Sequence, residues 1–168
     1  MDIVISCLHK TLRCNEFSLN IRIGKSGFID GEQGREGDAK TPLGEYTLRW
    51  GFYRADRLTP PRSKLIFRAL QEDDGWCDAQ DHPAYNRFIK LPDAASHEKL
   101  WREDGAYDVV LVMSHNDSPP LSGRGSAVFI HVAQFDDRET LGCVALAPED
   151  MVKLLPKLYA GQRVTIQQ

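Results

Sequence analysis

The chain has 168 residues, 42% of them apolar and 27% charged, with a net charge of −3 and a pI near 5.9. That length buries one good core, so residues 1–168 are expected to form a single domain. The mild acidity gives no electrostatic footprint for nucleic acid or an anionic membrane, and no apolar run reaches the roughly 18 residues of a membrane span.

The opening residues have an acid at Asp2, a very short apolar run and no small-residue cleavage site, so they read as a strand (Ile3, Ile5, Cys7) and not as a secretory signal. Phe17, Leu19, Ile21 and Ile23 alternate with polar residues in a second half-buried strand. Cys7, Cys14, Cys77 and Cys143 have neither Cys-x-x-Cys spacing nor the density of a disulfide scaffold. Cys7 and Cys14 could face each other on a hairpin, paired or as free thiols. Residues 31–44 are glycine-rich and almost without apolar side chains, which predicts an ordered surface loop. Its spacing is not that of a phosphate-binding loop.

Residues 45–50 and 64–70 read as strands on either side of a connection broken by Pro60 and Pro61. Residues 72–78 crowd carboxylates around Trp76 and Cys77. A metal site from Asp74, Asp78, Asp81 and His82 matches no known ligand spacing, so a solvated loop is expected and no metal is assigned. Residues 88–91 form a further strand, and Tyr85 and Asn86 before it suit either a peptide-binding groove or a structural turn. Residues 94–102 predict a helix capped by Ser96, with Leu100 and Trp101 on its apolar face and His97 exposed. Residues 107–113, the most apolar run, predict a strand buried on both sides. His115 and Asn116 follow it as site-wall residues or as a turn filled by its own backbone bonds. Arg124 could pair a substrate carboxylate or a neighbouring Asp.

Val128, Phe129, Ile130 and Val132 make a buried strand that ends near His131, and Val144, Ala145 and Leu146 make another. The polar segment 134–139 between them predicts a turn in solvent that brings His131 toward Cys143. A free thiol, with a pKa of about 8.5, needs a nearby imidazole to act as a nucleophile at neutral pH. The N–H groups of Gly142 and Cys143 could face an oxyanion. On chemistry alone, an inert buried thiol and a structural histidine fit these residues too. Pro148 then opens a helix whose Met151, Val152, Leu154, Leu155 and Leu158 face the core. Pro156 should break or bend that helix, and residues 163–166 close the chain as a strand. Eight or more short strands with two short helices predict a mainly β domain of sandwich or barrel type.

The segment Thr140-Leu-Gly-Cys-Val-Ala-Leu146 with the upstream His131 resembles the signature of YkuD-type L,D-transpeptidase catalytic domains, with Leu141 where the family has a second His and Ala145 where it has Arg or Asn. Thr41-Pro42-Leu43-Gly44, which looks like the family's turn into a strand, adds a second match, and Asp73–Asp78, Tyr85-Asn-Arg and Gly123-Arg-Gly-Ser resemble a compact branch of it. The resemblance implies a β-sandwich-like YkuD domain acting on peptidoglycan peptide stems as a monomer, without metal or organic cofactor. Cys143 would be the nucleophile and His131 the base, oriented through the Val132 carbonyl, with Gly142 at the oxyanion. Thr140, Arg124, His115, Asn116 and Tyr85 would contact substrate. Water in place of an acceptor amine would make the same site a carboxypeptidase or endopeptidase. A non-catalytic peptidoglycan-binding domain and an unrelated thiol hydrolase are the other readings. The expected substrate implies the periplasm or cell envelope, whereas the absence of a readable signal favours the cytoplasm.

Overall fold

The computed structural model describes residues 2–168 apart from Phe135 and Asp137. Its strands in chain order are β1 (Ile3–Ser6), β2 (Thr11–Cys14), β3 (Phe17–Arg22), β4 (Phe28–Asp30), β5 (Thr41–Tyr53), β6 (Phe67–Ala69) and β7 (Asp74–Cys77). They continue with β8 (Phe88–Lys90), β9 (His97–Lys99), β10 (Val109–Met113), β11 (Phe129–Val132), β12 (Val144–Leu146) and β13 (Arg163–Gln167). A helix, α1 (Pro148–Leu154), runs into a 3-10 turn (Leu155–Lys157) before β13. The fold is mainly β, as the alternating sequence pattern predicts.

The larger sheet closes on itself. From β10 the pairing runs through β11, β12, β3, β2, β1 and β13 to β5, and β5 pairs again with β10. The 13-residue β5 makes this possible by changing partner along its length, with residues 44–47 beside β13 and residues 48–53 beside β10. Ile3, Ile5, Leu12, Leu111, Ile130, Val144, Leu146, Val164 and Ile166 fill the interior, joined by Met151 and Leu154 of α1. Each such side chain contributes about 1.5–3 kcal/mol when fully buried.

The strands β10 and β11 are buried on both faces, as the apolar run at 107–113 predicts. Val110, Val112 and Phe129 point away from the interior into a second cluster with Trp76, Leu100 and Tyr107. The outer cluster exists because a small sheet, β8-β7-β9, packs there, with Trp76 edge-on to Phe129 at 5.1 Å between centroids.

That small sheet overturns two expectations. Residues 74–77 are a buried strand, not a solvated loop. Asp74 is fully buried, and its charge is offset by Arg68 at 3.0 Å, Lys90 at 2.7 Å and the Gln71 N–H. Residues 94–102 do not form a helix: His97, Glu98 and Lys99 pair with Cys77, Trp76 and Gly75. Leu100 is fully buried and Trp101 lies under the Arg54 guanidinium at 3.7 Å, so the two never share a helical stripe. A short segment without such a stripe gains more from edge pairing than from an isolated turn of helix. The described residues therefore hold one α-helix and not two. In it Val152 is 65% exposed, against the expected core position, while the helix gives way to the 3-10 turn that contains Pro156.

Thr41-Pro42-Leu43-Gly44 begins β5 as an extended segment beside β4, a strand the sequence did not suggest. Cys7 and Cys14 are both buried and free. Of the expected turn at 134–139, Phe135 and Asp137 lie outside the described residues.

Candidate active site

The parallel pairing of β11 and β12 sets Ile130 opposite Val144 and His131 opposite Ala145. Val144, Ile130 and Val132 face the interior, so the strand alternation turns Cys143 and His131 to the outer face. Both line one cavity of about 790 Å³ between the closed sheet and the small sheet.

The Cys143 thiol is held by backbone. Its Sγ donates to the Ala127 carbonyl at 3.1 Å and accepts the Phe129 N–H at 3.3 Å. Burial pushes the thiol up to about 12, and the Glu98 carboxylate adds to the rise. The resting sulfur is therefore a protonated thiol.

His131 turns Nδ1 toward two carbonyl oxygens, Val132 at 2.7 Å and Ala106 at 3.1 Å. A carbonyl only accepts, so Nδ1 carries the proton and Nε2 is left as the basic nitrogen. Burial lowers the imidazole, against the two carbonyls that favour the charged ring. Tyr107 stands edge-on to this ring at 5.2 Å.

The turn before Cys143 is tied down from both sides. Thr140 Oγ1 donates to the Cys143 carbonyl at 2.6 Å and accepts the Gly142 N–H at 3.1 Å. The Gly142 carbonyl accepts the Thr41 hydroxyl at 2.9 Å. Gly142 has φ 134°, and a Cβ there would lie 2.9 Å from the Lys40 carbonyl oxygen, so only glycine fits. Thr140 thus lines the cavity with its hydroxyl already spent on the turn. The Gly142 N–H is likewise committed, which leaves the Cys143 N–H as the member of that pair for an oxyanion. Leu141 and Ala145 both line the cavity, the first 75% exposed and the second buried.

Four residues expected at the substrate do not line this cavity. Tyr85 is buried, donating to Glu36 at 2.5 Å and accepting the Gly125 N–H at 3.0 Å. Asn116 donates to the Leu121 and Gly125 carbonyls, both at 3.0 Å, so it shapes a turn. His115 packs edge-on to Tyr46, and Arg124 sits with it in a separate recess. Asn86 is a hub and not a groove residue: its Oδ1 accepts from Trp76 and Ala127, and its Nδ2 donates to the His115 and Asn116 carbonyls. It thereby fixes Ala127, the acceptor of the thiol proton.

The sequence reading missed the opposite wall. Glu98, Arg102 and Tyr107 line the cavity, with the Tyr107 hydroxyl donating to Glu98 and Arg102 paired with Asp104. Glu98 and Arg102 lie in the segment read as a helix, and nothing local marks them. Among the described residues, no group of three or more His, Cys, Asp or Glu side chains is arranged to hold a metal.

The family model for the YkuD L,D-transpeptidase catalytic domain matches residues 12–166. Among solved structures, the helical cell shape determining protein Pgp2 from Campylobacter jejuni is similar at 14% identity and a TM-score of 0.51, over 99% of this chain and 46% of that one. Mycobacterium tuberculosis L,D-transpeptidase 1 aligns at 12% identity and a TM-score of 0.47, over 99% of this chain and 58% of that one. This chain spans about half the length of those structures. A search of the curated proteins finds no significant match.

Proposed function

Because the chain belongs to the YkuD L,D-transpeptidase catalytic domain family, we propose that residues 1–168 act as one cysteine-dependent acyltransferase domain that cross-links peptidoglycan peptide stems. The observation that carries this reading is the placement of Cys143 and His131 on one face of neighbouring strands, with Nδ1 of the histidine bound to carbonyls.

With the thiol pushed up and the imidazole pushed down, a resting thiolate–imidazolium pair is disfavoured. Proton transfer therefore accompanies attack. As Sγ bonds to the donor carbonyl, His131 Nε2 takes the thiol proton, and the Val132 and Ala106 carbonyls stabilise the imidazolium. The Cys143 N–H faces the oxyanion. Collapse breaks the C–N bond, the leaving amine takes the proton from His131, and a thioester remains on Cys143. The acceptor amine then attacks the thioester and gives its proton to His131, which returns it to the departing sulfur. No metal or organic cofactor enters this route. The domain works as a monomer in the cell envelope, where the stems are.

The test is mass spectrometry of purified peptidoglycan fragments incubated with the protein and with Cys143→Ala. Cross-linked dimers that depend on Cys143 are the expected product. Shortened stems without dimers would make the site a carboxypeptidase or endopeptidase, and unchanged fragments would favour a binding domain.

A further inference from the structure

Beside the Cys143 cavity lies a recess of about 40 Å³, and the two share a wall built by Glu36, Gly37, Ser126, Val128, Leu141 and Gly142. Arg124 lines the recess, and its Nε is buried without a hydrogen-bond partner. Ser126 Oγ is buried as well, and its nearest acceptor is the Tyr85 phenol oxygen. That phenol is already committed to Glu36 and to the Gly125 N–H.

Among the described residues, no carboxylate stands within ion-pair distance of Arg124. Glu36 and Asp38 line the same recess, but Glu36 accepts the Tyr85 hydroxyl at 2.5 Å, and Asp38 accepts the Arg35 and Lys40 amides, each at 2.9 Å. Arg35 and Lys40 line the recess as well, so its formal charges come to three cations against two carboxylates. His115, also at the recess, is held neutral by burial.

A buried guanidinium N–H that lacks an acceptor costs free energy until a ligand supplies one, and the Ser126 hydroxyl lining the same recess can donate to that ligand. The group that offers two coplanar acceptor oxygens with negative charge is a carboxylate, and a guanidinium suits its geometry. The recess exceeds the roughly 10–15 Å³ that one water occupies by the same measure.

We propose that Arg124 and Ser126 form a carboxylate-binding subsite opening off the Cys143 cavity, which takes a free carboxylate of the stem whose carbonyl meets the thiol. This assignment rests on the stem-peptide reading of the cavity and adds a recognition element outside the reacting atoms. It accounts for the one sequence-predicted substrate contact that the fold places away from the nucleophile without giving it a protein partner.

The test compares an N-acetylated tetrapeptide stem with the same stem carrying every carboxylate as an amide, by calorimetric titration of the Cys143→Ala protein. The acid form should bind on the order of tenfold tighter, as loss of a charge-assisted hydrogen bond implies. The gap should largely close in Cys143→Ala/Arg124→Gln. Cys143→Ala/Ser126→Ala should narrow it in part, and this variant decides the matter if the arginine change prevents folding. Equal binding of the two stems, or a gap that survives both substitutions, overturns the subsite. Turnover by the unsubstituted protein separates the two claims. Cys143-dependent products made without carboxylate preference sink the subsite alone, and an Arg124-dependent preference without any product sinks the chemistry alone.

Discussion

The Thr41 hydroxyl donates to the Gly142 carbonyl at 2.9 Å, joining the first residue of β5 to the turn that presents Cys143. The same oxygen accepts the Gly24 N–H at 2.9 Å, and Thr41 is fully buried.

Thr41→Val keeps the shape of the side chain and removes both bonds, leaving a buried carbonyl and a buried N–H unpaired. A loss of about 1–3 kcal/mol is expected. Urea unfolding midpoints measure it, and Thr41→Ser should recover most of the loss. A valine variant as stable as the parent would show that the two backbone groups find other partners.

The Cys143 thiol, up at about 12, should resist iodoacetamide near neutral pH and react faster with each unit of added alkalinity. Glu98 contributes to this because its negative charge disfavours a second one on the sulfur. Glu98→Gln therefore lowers the thiol pKa and should speed alkylation severalfold at pH 8, the electrostatic gain of removing one nearby like charge. Rate profiles from about pH 6 to 10 decide it. Identical profiles for the two proteins would remove Glu98 from the electrostatics of the site.

Burial pushes His115 down to about 4, below the ordinary value near 6.5. As pH falls, the unfolded chain takes this proton before the folded one does. The stability tied to neutral His115 is thus complete above about pH 6.5 and is lost on the way down to about pH 4, a change of about 3 kcal/mol. His131 shifts in the same direction, so its contribution has the same sign. Unfolding free energies of the parent and of His115→Gln across this range should converge toward acid pH. Parallel curves would mean that His115 titrates alike in the folded and unfolded states, as a solvated imidazole does.

How much of this was legible beforehand varied with the range of the interactions involved. The strands at 3–6, 17–22, 109–113, 129–132 and 163–167 follow from period-two alternation or an unbroken apolar run, which are properties of neighbouring residues. Helix α1 was legible for the same reason, through Pro148 and the acids that follow it. The segment 94–102 misled because its helical features, a cap and two adjacent apolar residues, are also local. The partner that overrode them, β7, lies some twenty residues earlier and was itself read as a loop. Asp74 explains that second error: a sequence rich in carboxylates looks solvated until Arg68 and Lys90 are seen to converge on it.

By itself, the sequence determined the mainly β character of the chain, its two-sided central strand, and the pairing of a histidine at the end of one strand with a Gly-Cys before the next. It also carried the resemblance that the family match confirmed. The tertiary structure alone added the Ala106 carbonyl, 25 residues away in the chain, as a second acceptor for His131 Nδ1 beside the expected Val132. It also decided that Thr41 secures a turn 101 residues later, and that Glu98 and Arg102 wall the cavity. Side-chain alternation is set by each residue's immediate neighbours and can be read from them. A hydrogen bond across the sheet depends on register and closure, which exist only once the whole ring of strands has formed.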